Sequence, residues 1–216
     1  MATAASSELP QNLLLILAMQ MTDTALYDIA TYVCELFEQN NQPYLVYHNA
    51  LHTADVVLHA IEMAAVYKLD EYNRFILLAA AWFHDTGHLF ADMAVHEAES
   101  ITIMRNYFSR HSIPAAVTES IAGCIQATRL PAQPHNLLEE ILCDADTYHL
   151  GTSEFREVDQ RVKEEMELRL QTTLVHWPEK TFTFLKSHRY FTTYAQKYLQ
   201  PGKINHMQRL RKLQKL

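Results

Sequence analysis

The segment FILLAAAWF, Phe75 to Phe83, is apolar on every side when it is placed on a helix. A helix of this kind runs through the middle of a core rather than along its surface. His84 and Asp85 follow it directly, and Gly87 is well placed to stop the helix with a left-handed backbone conformation. We therefore expect the most buried helix to carry a His-Asp pair at its C-terminal end, where the chain turns.

Helical periodicity continues on both sides of this segment, without a convincing run of alternating apolar and polar residues. The chain has only 4 glycines and 7 prolines, which leaves little room for the tight turns of a sandwich or barrel. We predict an all-α fold of roughly eight to ten helices, forming a single compact domain over residues 1–216. The predicted breaks between helices are NNQPY (40–44), YKLDEY (67–72), DTGH (85–88), RHSIP (110–114), TRLPAQP (128–134), HLGTS (149–153), VHWP (175–178) and QPG (200–202).

The net charge and the cysteines restrict the class of protein. A formal net charge of −7 argues against nonspecific binding to nucleic acid, duplexes included. Cys34, Cys124 and Cys143 lie far apart and fit buried positions in a reducing cytosol, which predicts a cytoplasmic protein. The apolar run LLLILAM (13–19) is too short to span a membrane and lacks the basic flank of a secretory signal. We predict a buried helix there and no membrane contact.

A second stretch, YHNALHTADVV (47–57), places metal-capable side chains on a helix that is otherwise apolar. His48 and His52 are four residues apart and Asp55 follows His52 by three, so the three side chains form one stripe. Burial of unpaired polar groups is costly, and a bound metal ion is one way to satisfy them. The chain has 12 histidines, so further ligands are at hand.

His52, the His84-Asp85 pair and an aspartate in LCDADTYHLG form a mixed nitrogen and oxygen set. Two imidazoles and two carboxylates suit Mn, Fe, Zn or Mg, and open positions for water would make the site a source of hydroxide. A lone histidine on an apolar face is usually a core residue, but packing alone does not explain the complete set. We expect Asp146 to be the ligand and Asp144 to be a helix cap or supporting acid; the reverse placement stays open.

The ordered pattern His52, His84-Asp85 and Asp146 resembles the HD superfamily of metal-dependent phosphohydrolases. The segments AAAWFHDTGH and LCDADTYHLG are similar to its second and last motifs. YHNALHTADVV resembles the Tyr-His-Asn-x-x-His-x-x-Asp-Val signature of class I cyclic nucleotide phosphodiesterases. The resemblance covers about residues 44–150, and residues 151–216 are assigned only as helical.

The resemblance implies a role for each matching residue. His52, His84, Asp85 and Asp146 would hold one or two divalent metal ions, with Asp85 able to bridge two of them and so to take part in catalysis. His48 matches the histidine that protonates the leaving oxygen of the substrate. Beside a metal ion such a histidine needs a carboxylate partner to stay protonated, and the sequence does not identify that partner.

Further residues could support the ligands or hold a second ion. We expect Asn49 and Asp55 to lie around the ligands; a carboxylate that orients a ligating imidazole fits Asp55 as well as a helix-surface position does. His88 and His96 are candidates for a second metal ion or its surroundings.

Two departures from the family pattern bear on function. In IAGCIQATR, where some HD proteins supply a histidine for a second metal, this chain has Gln126 and Thr128. A second ion would then be held weakly, through Asp85 and water. The C-terminal part shows no clear counterpart of the glutamine and aromatic clamp that holds the base in the cyclic nucleotide enzymes. This argues against a cyclic purine nucleotide, but not against phosphoester hydrolysis.

These patterns predict a hydrolase that cleaves a phosphoester of a nucleotide, cyclic ones included, by metal-bound hydroxide. The expected binding partner is a small-molecule phosphoester, and the sequence is compatible with a homodimer.

Two alternative functions stay open. A di-iron oxygenase of the HD type would need a full second set of histidines, and a metal-stabilised nucleotide-binding module would bind without turnover. The cations expected to contact the substrate phosphate are His88, Arg129, Lys163, His188 and Arg189.

Overall fold

All regular secondary structure is helical in residues 24–213, the part of the chain that the computed structural model describes. This confirms the all-α prediction, whereas the helix predicted for LLLILAM (13–19) lies outside the described residues. Two short 3-10 helices, Thr86–Leu89 and Tyr148–Gly151, accompany ten α-helices in this part of the chain. The α-helices are α1 (Thr24–Asn40), α2 (Ala50–Val66), α3 (Glu71–Phe83), α4 (His96–Phe108), α5 (Ala115–Ala127), α6 (Leu137–Asp146), α7 (Phe155–Leu170), α8 (Trp177–Ser187), α9 (Thr193–Tyr198) and α10 (Gln200–Leu213).

The helix α3 occupies the centre of the fold, as its all-round apolar sequence predicts. Every residue from Ile76 to Phe83 is buried, and α3 packs against α1, α2, α4, α5 and α6. The carboxylate of Asp70 caps its start by accepting a hydrogen bond from the Asn73 backbone N–H at 2.8 Å. The helix ends one residue before the His-Asp pair, so the pair emerges from the middle of the core.

Gly87 does not end the helix in a left-handed conformation, and that prediction is wrong. No glycine among residues 24–213 has a positive φ, and Gly87 lies in the first 3-10 helix. A Cβ atom on Gly87 would lie 2.0 Å from the carbonyl oxygen of His96, and the Gly87 N–H donates to Ser100 Oγ at 2.8 Å. Glycine is therefore needed because α4 packs directly against this turn.

The C-terminal helices pack around a second, smaller apolar cluster. Its buried members include Leu150, Phe155 and Leu185, and Tyr148 and Tyr194 pack against both this cluster and the main core. The expectation of one domain over residues 1–216 stays a prediction. None of the helices within residues 24–213 combines the length and the apolar character needed to cross a membrane.

Candidate metal centre

Three helices bring two histidines and two aspartates together beyond the C-terminal end of α3. His52 lies in the first turn of α2, His84 and Asp85 follow α3, and Asp146 is the last residue of α6. His52 Nε2 is 3.3 Å from Asp85 Oδ2 and 3.2 Å from Asp146 Oδ1. His84 Nε2 is 3.3 Å and 3.6 Å from the same two oxygens. Four potential ligand atoms therefore converge on one point.

The inner atoms of this four-residue cluster fit a divalent cation. His52 Nε2, His84 Nε2 and Asp85 Oδ2 are buried, and none of these atoms has a hydrogen-bond partner among the described residues. Buried polar atoms without partners are rare and costly, so their convergence indicates a ligand from outside the chain. Two imidazole nitrogens and two carboxylate oxygens suit Mn, Fe, Zn or Mg, and the set could hold one such ion.

A hydrogen bond orients the His84 imidazole, and a helix cap fixes the backbone that carries His52. His84 Nδ1 donates to the Ala81 carbonyl oxygen at 2.8 Å, which leaves the lone pair of Nε2 facing the cluster. Asn49 is the N-cap of α2, and its Oδ1 accepts hydrogen bonds from the backbone N–H groups of Leu51 and His52. This cap fixes the first turn of α2 and with it the position of His52.

The imidazoles and carboxylates of the cluster shift one another's pKa values. Burial alone would lower the pKa of His52, but the carboxylates of Asp146 and Asp85 outweigh it and raise the pKa to about 9. Burial would also lower the pKa of His84, and Asp85 raises it well above its ordinary value. Burial would raise the pKa of Asp85, but the two imidazoles hold it well below its usual range. The carboxylates thus require nearby positive charge, which protons on the imidazoles or a bound cation can supply.

The two other aspartates predicted near the site lie outside the cluster. Asp144 is buried, and its carboxylate accepts hydrogen bonds from the backbone N–H groups of Phe191 and Thr192. It therefore fixes the segment that follows α8, and Asp146 is the aspartate at the cluster. Asp55 lines a cavity of about 200 Å³ beside the cluster, and no ion pair of its carboxylate is found within residues 24–213.

The second carboxylate oxygen of Asp85 faces two further histidines. Asp85 Oδ1 lies 3.5 Å from His96 Nε2 and 3.9 Å from His88 Nε2. His96 Nδ1 donates to the Met93 carbonyl oxygen at 2.7 Å, so the lone pair of its Nε2 faces Asp85. The rings of His88 and His96 stack with centroids 3.8 Å apart. Asp85 therefore presents one oxygen to each side, as a carboxylate that bridges two ions would.

His48 has a carboxylate partner, and that partner is Glu165 on α7. His48 Nδ1 lies 2.7 Å from Glu165 Oε1. Glu165 Oε2 accepts hydrogen bonds from the backbone N–H groups of Tyr47 and His48, both at 2.9 Å. Burial would raise the pKa of Glu165, but hydrogen bonding with His48 lowers it, so this buried carboxylate stays ionised beside the ring. Glu165 lies 117 residues from His48, in a charged helix whose pattern is typical of a solvated surface, and no local signal points to it.

His48 also faces the metal-ligand cluster. One ring nitrogen of His48, one oxygen of Asp85 and one ring nitrogen of His88 lie within 4.8 Å of one another. The rings of His48 and His52 meet edge to face with centroids 5.7 Å apart. His48 lies in the turn before α2 and not on the helix with His52, so the predicted common helix stripe is wrong for His48, but both histidines reach the same site.

Two adjoining cavities open beside the cluster. A cavity of about 370 Å³ is lined by His48, Asp85 and His96. A second cavity of about 610 Å³ extends from Asp146 towards α8 and the segment that follows it. The two cavities share Thr128, Leu130 and Asp146.

The predicted substrate cations reach this cleft only in part. Arg129 lines the smaller cavity, and His188 and Arg189 line the larger one. Lys163 pairs with Glu167 at 3.3 Å and is not among the residues that line either cavity. The assignment of substrate contacts stays a prediction.

Comparison with known proteins finds two similarities, one in sequence and one in structure. Residues 49–151 match the sequence model of the HD domain. The crystal structure of a predicted HD superfamily hydrolase from an uncultured Thermotogales bacterium is similar, with a TM-score of 0.61 and 17% sequence identity. That match covers 92% of this chain and 96% of the other, and at such low identity it shows the fold alone. No protein of curated function matches this chain in sequence.

The ligand cluster and the matched residues coincide. His52, His84, Asp85 and Asp146 all lie within residues 49–151. The match over these residues supports an HD-domain superfamily assignment. The family match and the metal-ligand cluster together support a metal-dependent hydrolase.

Proposed function

We propose that this HD-domain protein is a metal-dependent hydrolase of phosphoesters, with nucleotides, cyclic ones included, as its substrate class. One observation carries the proposal: His48, held by a buried carboxylate, lies beside the same Asp85 that belongs to the four-residue cluster. A proton donor next to a cation site is the combination that phosphoester hydrolysis uses. Whether the protein belongs to the phosphodiesterase-like branch stays a prediction.

The chain's own residues would divide the chemistry as follows. A divalent cation held by His52, His84, Asp85 and Asp146 would polarise a phosphoryl oxygen and lower the pKa of a water molecule. Glu165 holds Nδ1 of His48, so the proton that His48 can transfer lies on Nε2. His48 would give this proton to the leaving oxygen as the phosphoester bond breaks.

The larger cavity supports a nucleotide as the substrate. It starts at Asp146 and is walled by Phe184 and Phe191, and the guanidinium of Arg189 lies over the Phe191 ring at 4.8 Å. An aromatic base would stack on such rings, and the Gln133 amide offers both a donor and an acceptor to its edge. Neither phenylalanine nor Gln133 belongs to a motif that the sequence analysis singled out.

A hydrolysis screen tests the proposal. The full chain, loaded in turn with Mn²⁺, Mg²⁺, Fe²⁺ or Zn²⁺, is assayed with cyclic and linear nucleotides beside Asp85→Ala and His48→Ala. We expect no turnover from Asp85→Ala and a loss of about 10²-fold or more from His48→Ala. His176→Asn is the matched control, because His176 is exposed, pairs with Glu179 at 3.9 Å and is not one of the residues that form the cluster or line the two cavities.

Other outcomes would contradict the proposal. Turnover that survives Asp85→Ala would come from a contaminant and would refute the mechanism. A nucleotide that raises the Tm but remains intact would favour a binding module. Tightly bound iron with oxygen consumption would favour the oxygenase.

A further inference from the structure

His88 is held by a cation that the proposed chemistry does not use. Arg169 Nη1 lies 2.8 Å from His88 Nδ1, and its Nη2 donates to the Ala91 carbonyl oxygen at 3.1 Å. The same guanidinium contacts Glu165 Oε1 at 3.3 Å and lies over the Tyr44 ring at 5.4 Å. Both side chains are nearly buried, with 8% of Arg169 and 2% of His88 exposed. The guanidinium is thus fixed on several sides.

This contact determines which nitrogen of His88 carries the hydrogen. A guanidinium has only N–H donors and keeps its charge, so His88 Nδ1 must be the acceptor. A histidine that accepts at Nδ1 is neutral and carries its hydrogen on Nε2. His88 Nε2 is buried, lies 3.9 Å from Asp85 Oδ1 and has no hydrogen-bond partner among the described residues. The N–H group therefore points into the site with no acceptor from the described part of the chain.

We propose that Arg169 is a positioning residue that fixes His88 as an Nε2–H donor, so that His88 binds a phosphoryl oxygen or a water molecule instead of a metal ion. The proposal deepens the proposed function and rests on it for the identity of the oxygen. It assigns a role to a residue outside the matched motifs, on the C-terminal part of the chain.

The two donors of the site would then be oriented by a single helix. Glu165 and Arg169 lie one turn apart on α7, and they hold Nδ1 of His48 and Nδ1 of His88 respectively. The rings of His48 and His88 lie 4.2 Å apart, tilted by 30°. One helix therefore aligns the two neighbouring imidazoles, and in each ring Nε2 is the nitrogen that can contact the substrate.

The proposal also has a consequence for metal binding. A nitrogen that carries a hydrogen has no lone pair for a cation, so His88 cannot ligate through Nε2. His96 and Asp85 Oδ1 are then left on this side of the site, and two such groups hold a cation weakly. We expect one tightly bound ion per chain.

The first test reads the tautomer of His88 directly. The full chain, labelled with ¹⁵N in its histidines and loaded with Zn²⁺, is studied by two-bond proton–nitrogen NMR correlations, with His88 assigned by its loss in His88→Gln. We expect a protonated Nε2 and an unprotonated Nδ1. A hydrogen on Nδ1, or on both nitrogens, would overturn the proposal whatever the enzyme hydrolyses.

The second test uses Arg169→Met, with Arg169→Lys as the conservative variant and inorganic phosphate as the probe. Loss of one hydrogen bond should weaken phosphate binding to the Zn²⁺-loaded chain about tenfold in Arg169→Met. Arg169→Lys, whose side chain also offers only hydrogen-bond donors, should retain most of the wild-type phosphate affinity. Arg156→Met is the control, because Arg156 is an exposed residue of the same helix.

Metal stoichiometry separates positioning from a merely structural role. Without the guanidinium, His88 can offer a lone pair at Nε2, so Arg169→Met should bind a second Zn²⁺ more tightly than the wild type. Unchanged stoichiometry and unchanged phosphate affinity in a folded Arg169→Met chain would refute the proposal. Failure of the hydrolysis screen would instead refute the proposed function, since neither the tautomer nor the stoichiometry depends on turnover.

Discussion

The carboxylate of Asp85 lies between two groups of imidazoles. Its Oδ2 faces His52 and His84, and its Oδ1 faces His88 and His96. The two groups are not equivalent, because His84 and His96 donate from Nδ1 to backbone carbonyls whereas His88 accepts at Nδ1 from a guanidinium. The hydrogen bond on the far side of each ring thus decides which of these histidines can ligate a cation.

Replacement of Glu165 should impair the proton donor and spare the metal cluster. Glu165→Gln removes the charge beside His48, so we expect kcat to fall by about 10²-fold while metal content stays at the wild-type level. The measurements are the pH dependence of kcat and the metal content of the purified variant. Glu164→Gln, an exposed neighbour, is the control. A normal kcat in Glu165→Gln would show that His48 does not depend on this carboxylate.

The pKa of His52 predicts that metal binding releases protons. An unfolded histidine has a pKa near 6.5, whereas His52 has a pKa of about 9 in the metal-free fold. Protonated His52 therefore stabilises the metal-free fold fully below pH 6.5, and this stabilisation is lost as the pH rises through 9. A cation takes the place of the proton, so metal affinity should increase from pH 7 to 9.

Two measurements check this expectation. Calorimetric titration with Zn²⁺ in buffers of different ionisation enthalpy should show proton release at pH 7 and less of it at pH 9. The Tm in the presence of a chelator should fall between pH 6.5 and 9, and the Zn²⁺-loaded chain should not show this fall. Proton uptake, or no exchange at all, would contradict the assignment.

At the scale of the element, α7 has a surface-like sequence but contributes two groups to the site. Its segment EEMELR is mostly charged, yet Glu165 is buried and Arg169 is nearly so. The two side chains lie on one face because they are four residues apart. This face is recognisable only once α7 is packed beside the start of α2, where the backbone N–H groups of Tyr47 and His48 need an acceptor.

The turn after α3 should not tolerate a side chain at position 87. In Gly87→Ala the new methyl group would lie 2.0 Å from the His96 carbonyl oxygen and 2.8 Å from the Ser100 nitrogen, both backbone atoms. We expect a loss of stability of about 1–3 kcal/mol, measured by chemical denaturation. Gly123→Ala is the control, because its methyl group would meet only the Glu139 side chain at 3.3 Å. Equal stability of the two variants would contradict the close packing of α4 on this turn.

At the scale of the whole molecule, the C-terminal helices complete the larger cavity. Asp144 holds the backbone of Phe191 from the core side. Lys203, only 2% exposed on α10, donates to the His188 carbonyl oxygen at 2.7 Å and contacts His188 Nδ1 at 3.1 Å. The segment between α8 and α9 is therefore fixed from both sides, and it carries Arg189 and Phe191 at the cavity wall.

Truncation of the cavity wall should affect nucleotide binding more than chemistry. We expect Phe191→Ala to raise the KM for nucleotides roughly tenfold with little change in kcat, because stacking on the base is lost in the ground state and the transition state alike. Inorganic phosphate should bind Phe191→Ala as it binds the wild type. Tyr27→Ala, an exposed aromatic on α1, is the control. A tenfold loss in phosphate affinity would show that the variant disturbs the metal site itself.

The sequence by itself determined the helical class, the central position of α3 and three of the four cluster residues, His52, His84 and Asp85. These follow from local information: the apolar character of residues 75–83, and ligand-type residues adjacent in sequence or at helical spacing. The motif order His52, His84-Asp85, Asp146 adds the HD superfamily, which the match over residues 49–151 bears out.

Only the tertiary structure decided which group each of these residues meets. Asp146 rather than Asp144 is at the cluster because of the rotation of α6, and Gly87 is required by the approach of α4 rather than by its own dihedral angles. Glu165 and Arg169 lie 117 and 81 residues from the histidines that they hold. Such partners leave no periodic pattern in the sequence, because their pairing depends on how distant helices pack and not on local spacing.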